Sequence, residues 1–174
     1  MKHKIYLIAA ADLKNGIGIG GKLPWNLKGD MKFFQEITIK TDNANKRNMV
    51  VMGRTTWESI PEKHRPLIGR KNVVLSRNKN LKIEGTDVAN SIKDIIKIAE
   101  EDERIENIFV IGGAKVYEQF IKLRELTGIY LTRIQKEFKC DAFFPKIPPK
   151  LKPEKLNKGE EEGVKYEFIL YKQK

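Results

Sequence analysis

Asp30 is the acidic residue whose neighbours most strongly suggest chemistry. It opens the segment DMKFFQEIT, in which Asp30, Phe34 and Thr38 recur every four residues. A helix over this segment places the three side chains on one face. Burying a carboxylate on a face that also carries a phenylalanine is costly unless the carboxylate has a partner. Two interpretations stay open: a solvated acid at the start of a helix, or a buried acid that binds a ligand.

A second group of residues stands where predicted strands end. The first junction is Gly53 followed by Arg54 and two threonines, the second is Ser76–Arg77, and the third is Gly112–Gly113. Free N–H groups and the dipole at a helix start favour anions, and glycine lets a ligand approach the backbone closely. One such junction usually indicates only a turn, but three together predict a binding surface for a ligand with several phosphates. The guanidinium of Arg77 is the candidate for an isolated phosphate.

Two common phosphate-binding motifs do not occur at these junctions. The first strand is not followed by G-x-G-x-x-G, and the sequence has no Walker lysine motif. We therefore expect neither the usual dinucleotide-binding fold nor a P-loop protein.

The composition indicates one domain, which we expect to span residues 1–174. Apolar residues make up 40% of the chain, and the formal net charge is +11. Its lysines are scattered, which favours solubility over a nucleic-acid partner and still permits an anionic small ligand. A single cysteine, Cys140, gives no internal disulfide and no zinc spacing, so no metal is predicted. The first apolar run is too short for a membrane span and lacks a cleavage pattern, so we expect a cytoplasmic protein without a membrane partner. We also expect a monomer.

Apolar runs alternate with helical patterns along most of the chain. The runs predict strands over residues 4–11, 49–53, 72–76, 107–113, 128–135 and 165–172. The spacing predicts helices over residues 30–39, 54–60, 91–102 and 114–123, with a Thr55/Glu58 capping box and Ser91 as a cap. Residues 12–29 are predicted to be a long loop, and residues 151–163 to lead into a terminal hairpin that turns near residues 159–163. This order predicts an α/β fold: a mixed, mostly parallel central sheet of about eight strands, helices on both faces, and an antiparallel C-terminal edge. Ligands of such sheets bind outside the carboxyl ends of the strands.

Five segments, in order and with suitable spacing, resemble the dihydrofolate reductase family. They are IAAADLKNGIG, LPWNLKGDMKFF, VVMGRTTWESIPEKHRPLIGRKNVVLSR, FVIGGAKVYEQF and YLTRI. The resemblance runs from about residue 5 to 145, and the last thirty residues share only the general pattern. It implies a dihydrofolate-reductase-like fold and the NADPH-dependent reduction of 7,8-dihydrofolate to tetrahydrofolate, which feeds one-carbon and thymidylate metabolism. The reaction transfers hydride to pterin C6 and protonates N5, and antifolates bind the same site.

The resemblance also implies substrate-binding and catalytic residues. Asp30 would pair with the pterin 2-amino group and N3, and Thr132 would share that network. Arg70 would bind the substrate α-carboxylate, while the alternative is an ordinary surface arginine. The pocket wall and its backbone carbonyls would come from Ile8, Met31, Phe34, Ile60, Leu67 and Ile111, which could equally be plain core residues. In a mobile loop over residues 16–26, Leu23 would close over the nicotinamide and Trp25 would bind an ordered water or simply anchor the loop.

The cofactor residues implied by the resemblance fall into three sets. Ala10, Ile17 and Gly18 would approach the nicotinamide. The phosphates would lie between two sets, Gly53, Arg54, Thr55 and Thr56 on one side and Gly112, Gly113, Ala114, Lys115, Val116 and Tyr117 on the other. Ser76 and Arg77 would take the 2′-phosphate and so favour NADPH over NADH. The Gly112–Gly113 peptide is cis in this family, and Arg65–Pro66 is predicted to be cis as well.

Two rival functions also fit parts of the sequence. An NADPH reductase of a riboflavin-pathway pyrimidine on the same fold would keep the cofactor residues but would not need Asp30, Phe34 and Arg70 together. A basic nucleic-acid-binding module would use the charge but not the paired glycines. His3 and His64 are interpreted as structural, Cys140 as inert, and Trp57 as packing beneath the helix that follows Gly53.

Overall fold

The computed structural model describes residues 3–174 as four α-helices and ten strands. The strands are β1 (Lys4–Ala11), β2 (Gly16–Gly18), β3 (Arg47–Gly53), β4 (Lys71–Leu75), β5 (Asp87–Ala89), β6 (Ile105–Val110), β7 (Leu126–Ile134), β8 (Ala142–Phe143), β9 (Lys152–Glu161) and β10 (Val164–Lys172). The helices are α1 (Lys28–Ile39), α2 (Arg54–Ser59), α3 (Ile92–Glu101) and α4 (Ala114–Phe120), with a short 3₁₀ turn at Glu62–His64.

Eight strands form one central sheet in the order β5-β4-β3-β6-β1-β7-β10-β9. All pairings from β5 to β7 are parallel, whereas β10 is antiparallel to both β7 and β9. The predicted mixed sheet with an antiparallel C-terminal edge is therefore confirmed. Strands β9 and β10, here called the C-terminal hairpin, turn through Glu162 and Gly163, which both have positive φ.

Helices cover both faces of the sheet, as predicted. The central strand β3 shows why: Met49 and Val51 face one hydrophobic cluster, and Val50 and Met52 face another. Side chains that alternate between two buried faces require apolar residues at every position of the strand. Helices α3 and α4 pack on the first cluster and α1 and α2 on the second, where Trp57 of α2 is 6% exposed. The expectation that Trp57 packs beneath the helix after Gly53 is thus confirmed.

The structure corrects several local predictions. The loop predicted over residues 12–29 contains β2, which pairs with β8, and α1 begins at Lys28 rather than Asp30. Strand β5 was not predicted. The capping box is wrong, because the cap residue of α2 is Gly53 without a side-chain bond, and Glu58 pairs with Arg54 at 2.7 Å. An arginine one turn before Glu58 offers it a stronger partner than a backbone N–H.

Other local predictions are confirmed. The Ser91 Oγ accepts a hydrogen bond of 3.1 Å from the Asp94 N–H at the start of α3. The Arg65–Pro66 and Gly112–Gly113 peptides are both cis. Over residues 3–174, no helix is long and apolar enough to cross a membrane.

Candidate active site

A cleft of about 1640 Å³ opens at the carboxyl ends of the central strands, between α1 on one side and the starts of α2 and α4 on the other. Its lining includes every residue that the sequence suggested for substrate or cofactor, together with Leu23, and excludes Trp25. Parallel strands that end at one edge bring these residues together although they are far apart in the chain. The individual roles of the residues stay predictions.

Asp30 lies in the first turn of α1 with its side chain in the cleft, and it is only 7% exposed. Burial raises the pKa of its carboxyl group, the nearby Thr132 hydroxyl lowers that pKa in part, and the charge of Glu161 raises it further. Thr132 is 2% exposed on the adjacent strand β7. The solvated-acid interpretation of Asp30 is therefore wrong, and the carboxylate faces a concave, largely apolar space.

The same face of α1 carries the apolar wall of the cleft. Phe34 packs with Ile60, Leu67 and Ile111 against the core cluster beneath α1. Met31 is 51% exposed at the rim of the cleft. Phe34, Ile60, Leu67 and Ile111 therefore both line the cleft and pack against the core, whereas Met31 only lines the cleft.

Arg70 is held at the other end of α1 by two hydrogen bonds. Its Nε donates to the Ile68 carbonyl at 3.0 Å, and one terminal nitrogen donates to Thr38 Oγ1 at 2.9 Å. Thr38 is fully buried and donates its own proton to the Phe34 carbonyl. Burial lowers the pKa of the guanidinium, a cost that an anionic ligand in the cleft would offset. Arg70 is therefore half-buried and oriented at the edge of the cleft, and its binding of the substrate carboxylate stays a prediction.

The paired glycines meet the end of β3 at the floor of the cleft. The Gly53 N–H donates to the Gly112 carbonyl at 2.8 Å, and a Cβ on Gly53 would stand 3.2 Å from Val116. Gly112 has φ of 123°, which a side chain would disfavour. Nearby, the Tyr117 hydroxyl donates to the Ile8 carbonyl at 2.7 Å, which gives one of the two predicted ligand-binding carbonyls an internal partner.

The two helices that begin at these glycines have no capping side chain. Gly53 precedes α2 and Gly113 precedes α4, and neither cap position makes a side-chain hydrogen bond. Their first-turn N–H groups therefore face the cleft without a side-chain acceptor. Arg77 is exposed at the rim, next to Ser76, whose carbonyl accepts from the Asn90 side chain at 2.8 Å.

Trp25 lies in a separate hydrophobic cluster with Leu27, Ile134 and Phe168. Its ring stands edge-on to that of Phe138 at 5.3 Å. The indole N–H is buried and has no acceptor among residues 3–174. The packing fits the loop-anchor alternative, and water binding by this N–H stays a prediction.

Several cleft residues were not predicted. His64, which the sequence pattern assigned to a structural role, lines the cleft, as do Asn26, Lys28, Lys32, Gln35, Lys63, Asn90 and Gln119. One signal could have indicated part of this set, because Lys28, Lys32 and Gln35 have the spacing of a single helix face beside Asp30. His3, by contrast, is 5% exposed and contacts the Glu106 carbonyl through Nδ1 at 3.2 Å, outside the cleft.

Comparisons with known proteins bear on this site. Residues 4–173 match the sequence model of the family described as dihydrofolate reductase. A dihydrofolate reductase of Heliothis virescens is 42% identical over 97% of this chain and 97% of its own length. Dihydrofolate reductases of Drosophila melanogaster and Rattus norvegicus are each 39% identical, over 94% and 100% of both chains respectively.

Proposed function

The chain belongs to the dihydrofolate reductase family, and on that premise we propose that its cleft binds NADPH and 7,8-dihydrofolate side by side. It is an oxidoreductase that reduces dihydrofolate to tetrahydrofolate. The observation that carries the proposal is a buried carboxylate, Asp30, in the same cleft as the paired glycines Gly112–Gly113. The riboflavin-pathway alternative has no support among these relatives.

The cofactor half of the cleft fits a dinucleotide with an additional phosphate. The starts of α2 and α4 present uncapped N–H groups, and Arg54, Lys115 and Arg77 add positive charge around them. Gly53 packs closely against Val116, and a Cβ on Gly113 would stand 3.4 Å from the Thr56 hydroxyl oxygen, so both glycines permit the close approach of β3, α2 and α4 at this place. Ser76 and Arg77 would bind the 2′-phosphate and so select NADPH over NADH. When bound, NADPH supplies the hydride that reduces pterin C6.

The substrate half of the cleft fits a flat heterocycle joined to an anionic tail. The two carboxylate oxygens of Asp30 would accept hydrogen bonds from the pterin 2-amino group and N3, with Thr132 in the same network. Phe34, Ile60 and Leu67 would enclose the aromatic body. Arg70, already oriented by Thr38, would pair with the substrate α-carboxylate.

Protonation of N5 is the step in which the electrostatics of Asp30 matter. The carboxylate binds the opposite edge of the pterin, so it does not reach N5 directly. We propose that water delivers the proton while the buried negative charge stabilises the protonated pterin. Leu23, half-exposed in the loop over the nicotinamide side, would help to exclude other water.

The test is the near-ultraviolet absorbance of NADPH followed during turnover. We expect the absorbance to fall only when the protein, NADPH and dihydrofolate are all present, with tetrahydrofolate as product. Turnover of a pyrimidinone instead of dihydrofolate would overturn the proposal, as would binding of nucleic acid without any NADPH binding in a tryptophan-fluorescence titration. A single domain, a monomer and a cytoplasmic location are part of the same proposal, and sedimentation and cell fractionation test them.

A further inference from the structure

We propose that Glu161, at the end of β9, is a positioning residue for Asp30 and sets the place of its carboxylate by holding the first turn of α1. An effect of Glu161 on catalysis depends on the proposed function, in which Asp30 binds the pterin. Glu161 and Tyr166, which supply one side of the contacts that carry the inference, lie in the last part of the chain, where the family resemblance is only general.

Glu161 caps a helix that has no cap of its own. The cap position of α1 is Leu27, whose side chain cannot accept a hydrogen bond. Instead, Glu161 Oε1 accepts from the Lys28 N–H and Oε2 from the Gly29 N–H, both at 2.8 Å. The Glu161 carboxylate, 132 residues further along the chain than Gly29, therefore satisfies two first-turn donors of α1. Its negative charge also interacts favourably with the positive end of the helix dipole. The second of these donors belongs to the residue directly before Asp30.

Tyr166 holds the Glu161 carboxylate in this position. Its hydroxyl donates to Oε2 at 2.7 Å, and its side chain is buried at 5% exposure. On β10, Tyr166 is paired with Ile134 of β7, and the neighbouring Phe168 is paired with Thr132. The strand that orients Glu161 is therefore adjacent to the strand that supplies the hydroxyl beside Asp30.

Gly29 shows how closely the hairpin and the helix approach. A Cβ on Gly29 would stand 2.1 Å from the Tyr166 hydroxyl oxygen and 3.0 Å from Glu161 Oε2. Gly29 lies within α1 and does not have a positive φ. A side chain at this position is therefore excluded by the lack of space beside it and not by the backbone conformation. The helix start is thus packed directly against the Glu161–Tyr166 pair.

The pair also contributes charge near the substrate-binding carboxylate. Hydrogen bonds from Tyr166 and the Gly29 N–H lower the pKa of Glu161, so this carboxyl is charged at neutral pH. Burial raises the pKa of Tyr166 to about 12, so its hydroxyl keeps the proton that it donates. The polar and titratable groups around Asp30 are Thr132 on β7, Glu161 on β9, Tyr166 on β10 and Tyr117 on α4, while Lys28 on α1 lies close to Glu161. Of the groups on other elements, only Glu161 carries a charge.

The first test compares Glu161→Gln with Glu160→Gln. Both variants remove one negative charge, but Glu160 is exposed and belongs to the opposite face of β9. We expect Glu161→Gln to lower kcat/KM for dihydrofolate by roughly fivefold, the equivalent of one helix cap, and to leave the Kd for NADPH unchanged. Glu160→Gln should behave as wild type in both measurements.

A titration of the Asp30 carboxyl carbon by NMR in the ligand-free protein tests the same contact without turnover. Glu161→Gln removes a negative charge near Asp30 and leaves the positive end of the α1 dipole uncompensated, and both changes favour the ionised form of Asp30. The pKa of Asp30 should therefore fall in Glu161→Gln and not in Glu160→Gln. An unchanged pKa and unchanged kcat/KM in Glu161→Gln would overturn the inference. A wild-type protein that does not reduce dihydrofolate would overturn the proposed function alone, since the titration would still report the contact.

A rescue experiment keeps the inference testable if Glu161→Gln folds poorly. Gly29→Ala places a methyl group against the Tyr166 hydroxyl, and we expect it to lower both the Tm and kcat/KM for dihydrofolate. Tyr166→Phe removes the oxygen that the methyl meets, so the double variant should recover part of both losses. Additive losses in the double variant would show that the helix start is not held by this pair, and would contradict the inference.

Discussion

At the scale of single residues, burial of the Asp30 carboxylate costs desolvation energy, but it places a hydrogen-bond acceptor in the cleft. Asp30 is 7% exposed, and burial raises its pKa, so the ionised form is disfavoured in the ligand-free protein. The pterin donors would supply the hydrogen bonds that water provides elsewhere. An acid in this position is therefore suited to binding a ligand and poorly suited to stabilising the fold.

Asp30→Asn tests the use of this carboxylate. An asparagine keeps the size of the side chain but loses the negative charge and one acceptor. We expect kcat/KM for dihydrofolate at neutral pH to fall by about a hundredfold or more, whereas NADPH binding measured by fluorescence should be unchanged. Turnover at the wild-type level would contradict the assignment of Asp30.

Arg77→Ala tests the selection of the cofactor. A charge-assisted contact to the 2′-phosphate predicts that KM for NADPH rises about tenfold to a hundredfold while KM for NADH changes little. Lys79→Ala is the matched control, because Lys79 is exposed two residues away and does not line the cleft. Equal effects of Arg77→Ala on the two cofactors would place the 2′-phosphate elsewhere.

At the scale of elements, the long apolar strands and the regularly spaced helices were predictable because their patterns are local. Strand β2 has three residues and β8 has two, and each exists only because the other lies beside it. Strand β5 likewise depends on its pairing with β4. Residues this few carry no periodicity, so the sequence could not indicate them.

The cap of α3 gives a prediction at this scale. Ser91→Ala removes the acceptor for the Asp94 N–H and should lower the free energy of unfolding by about 1 kcal/mol. Ser91→Asp retains an acceptor and adds a charge that suits the helix dipole, so it should preserve stability. Urea midpoints at constant m-value measure both variants, and equal midpoints for Ser91→Ala and wild type would contradict the role of the cap.

The site residues that lie in family motifs were predictable from the sequence, and the contacts between distant segments were not. Asp30, Thr132 and the paired glycines lie in such motifs, and the structure places them in one cleft. The bond from Arg70 to Thr38 and the cap from Glu161 join residues distant in the chain, and nothing in either local segment reveals the partner. Trp25 lies in a motif as well, but the structure places it outside the cleft lining in a hydrophobic cluster, and its binding of an ordered water stays a prediction.

At the scale of the whole molecule, the buried acid also affects folding. A carboxyl whose pKa is raised by folding stabilises the folded state fully below its ordinary pKa of 3.8, and this contribution is lost as the pH rises through the raised value. Asp30→Asn should therefore raise the Tm of the ligand-free protein at neutral pH. The difference from wild type should shrink as the pH falls below 3.8.

Glu36→Gln is the control for that comparison, because Glu36 is an exposed acid on the same helix, with its side chain 63% exposed. It changes the net charge equally without a desolvation cost, so its Tm should follow that of wild type at every pH. Calorimetry over a series of pH values provides the measurement. A ligand-free Asp30→Asn protein that melts below wild type at neutral pH would show that the carboxylate stabilises the fold.

The contact between Glu161 and the start of α1 has a consequence for synthesis. A ribosome makes the helix that carries Asp30 long before it makes the hairpin, since the two partners are 132 residues apart. Strand β10 also lies between β7 and β9, so the emerging polypeptide exposes one edge of β7 until the hairpin leaves the exit tunnel. If Glu161 aligns the start of α1 as we propose, a nascent chain acquires an aligned pocket only after β10 has been translated.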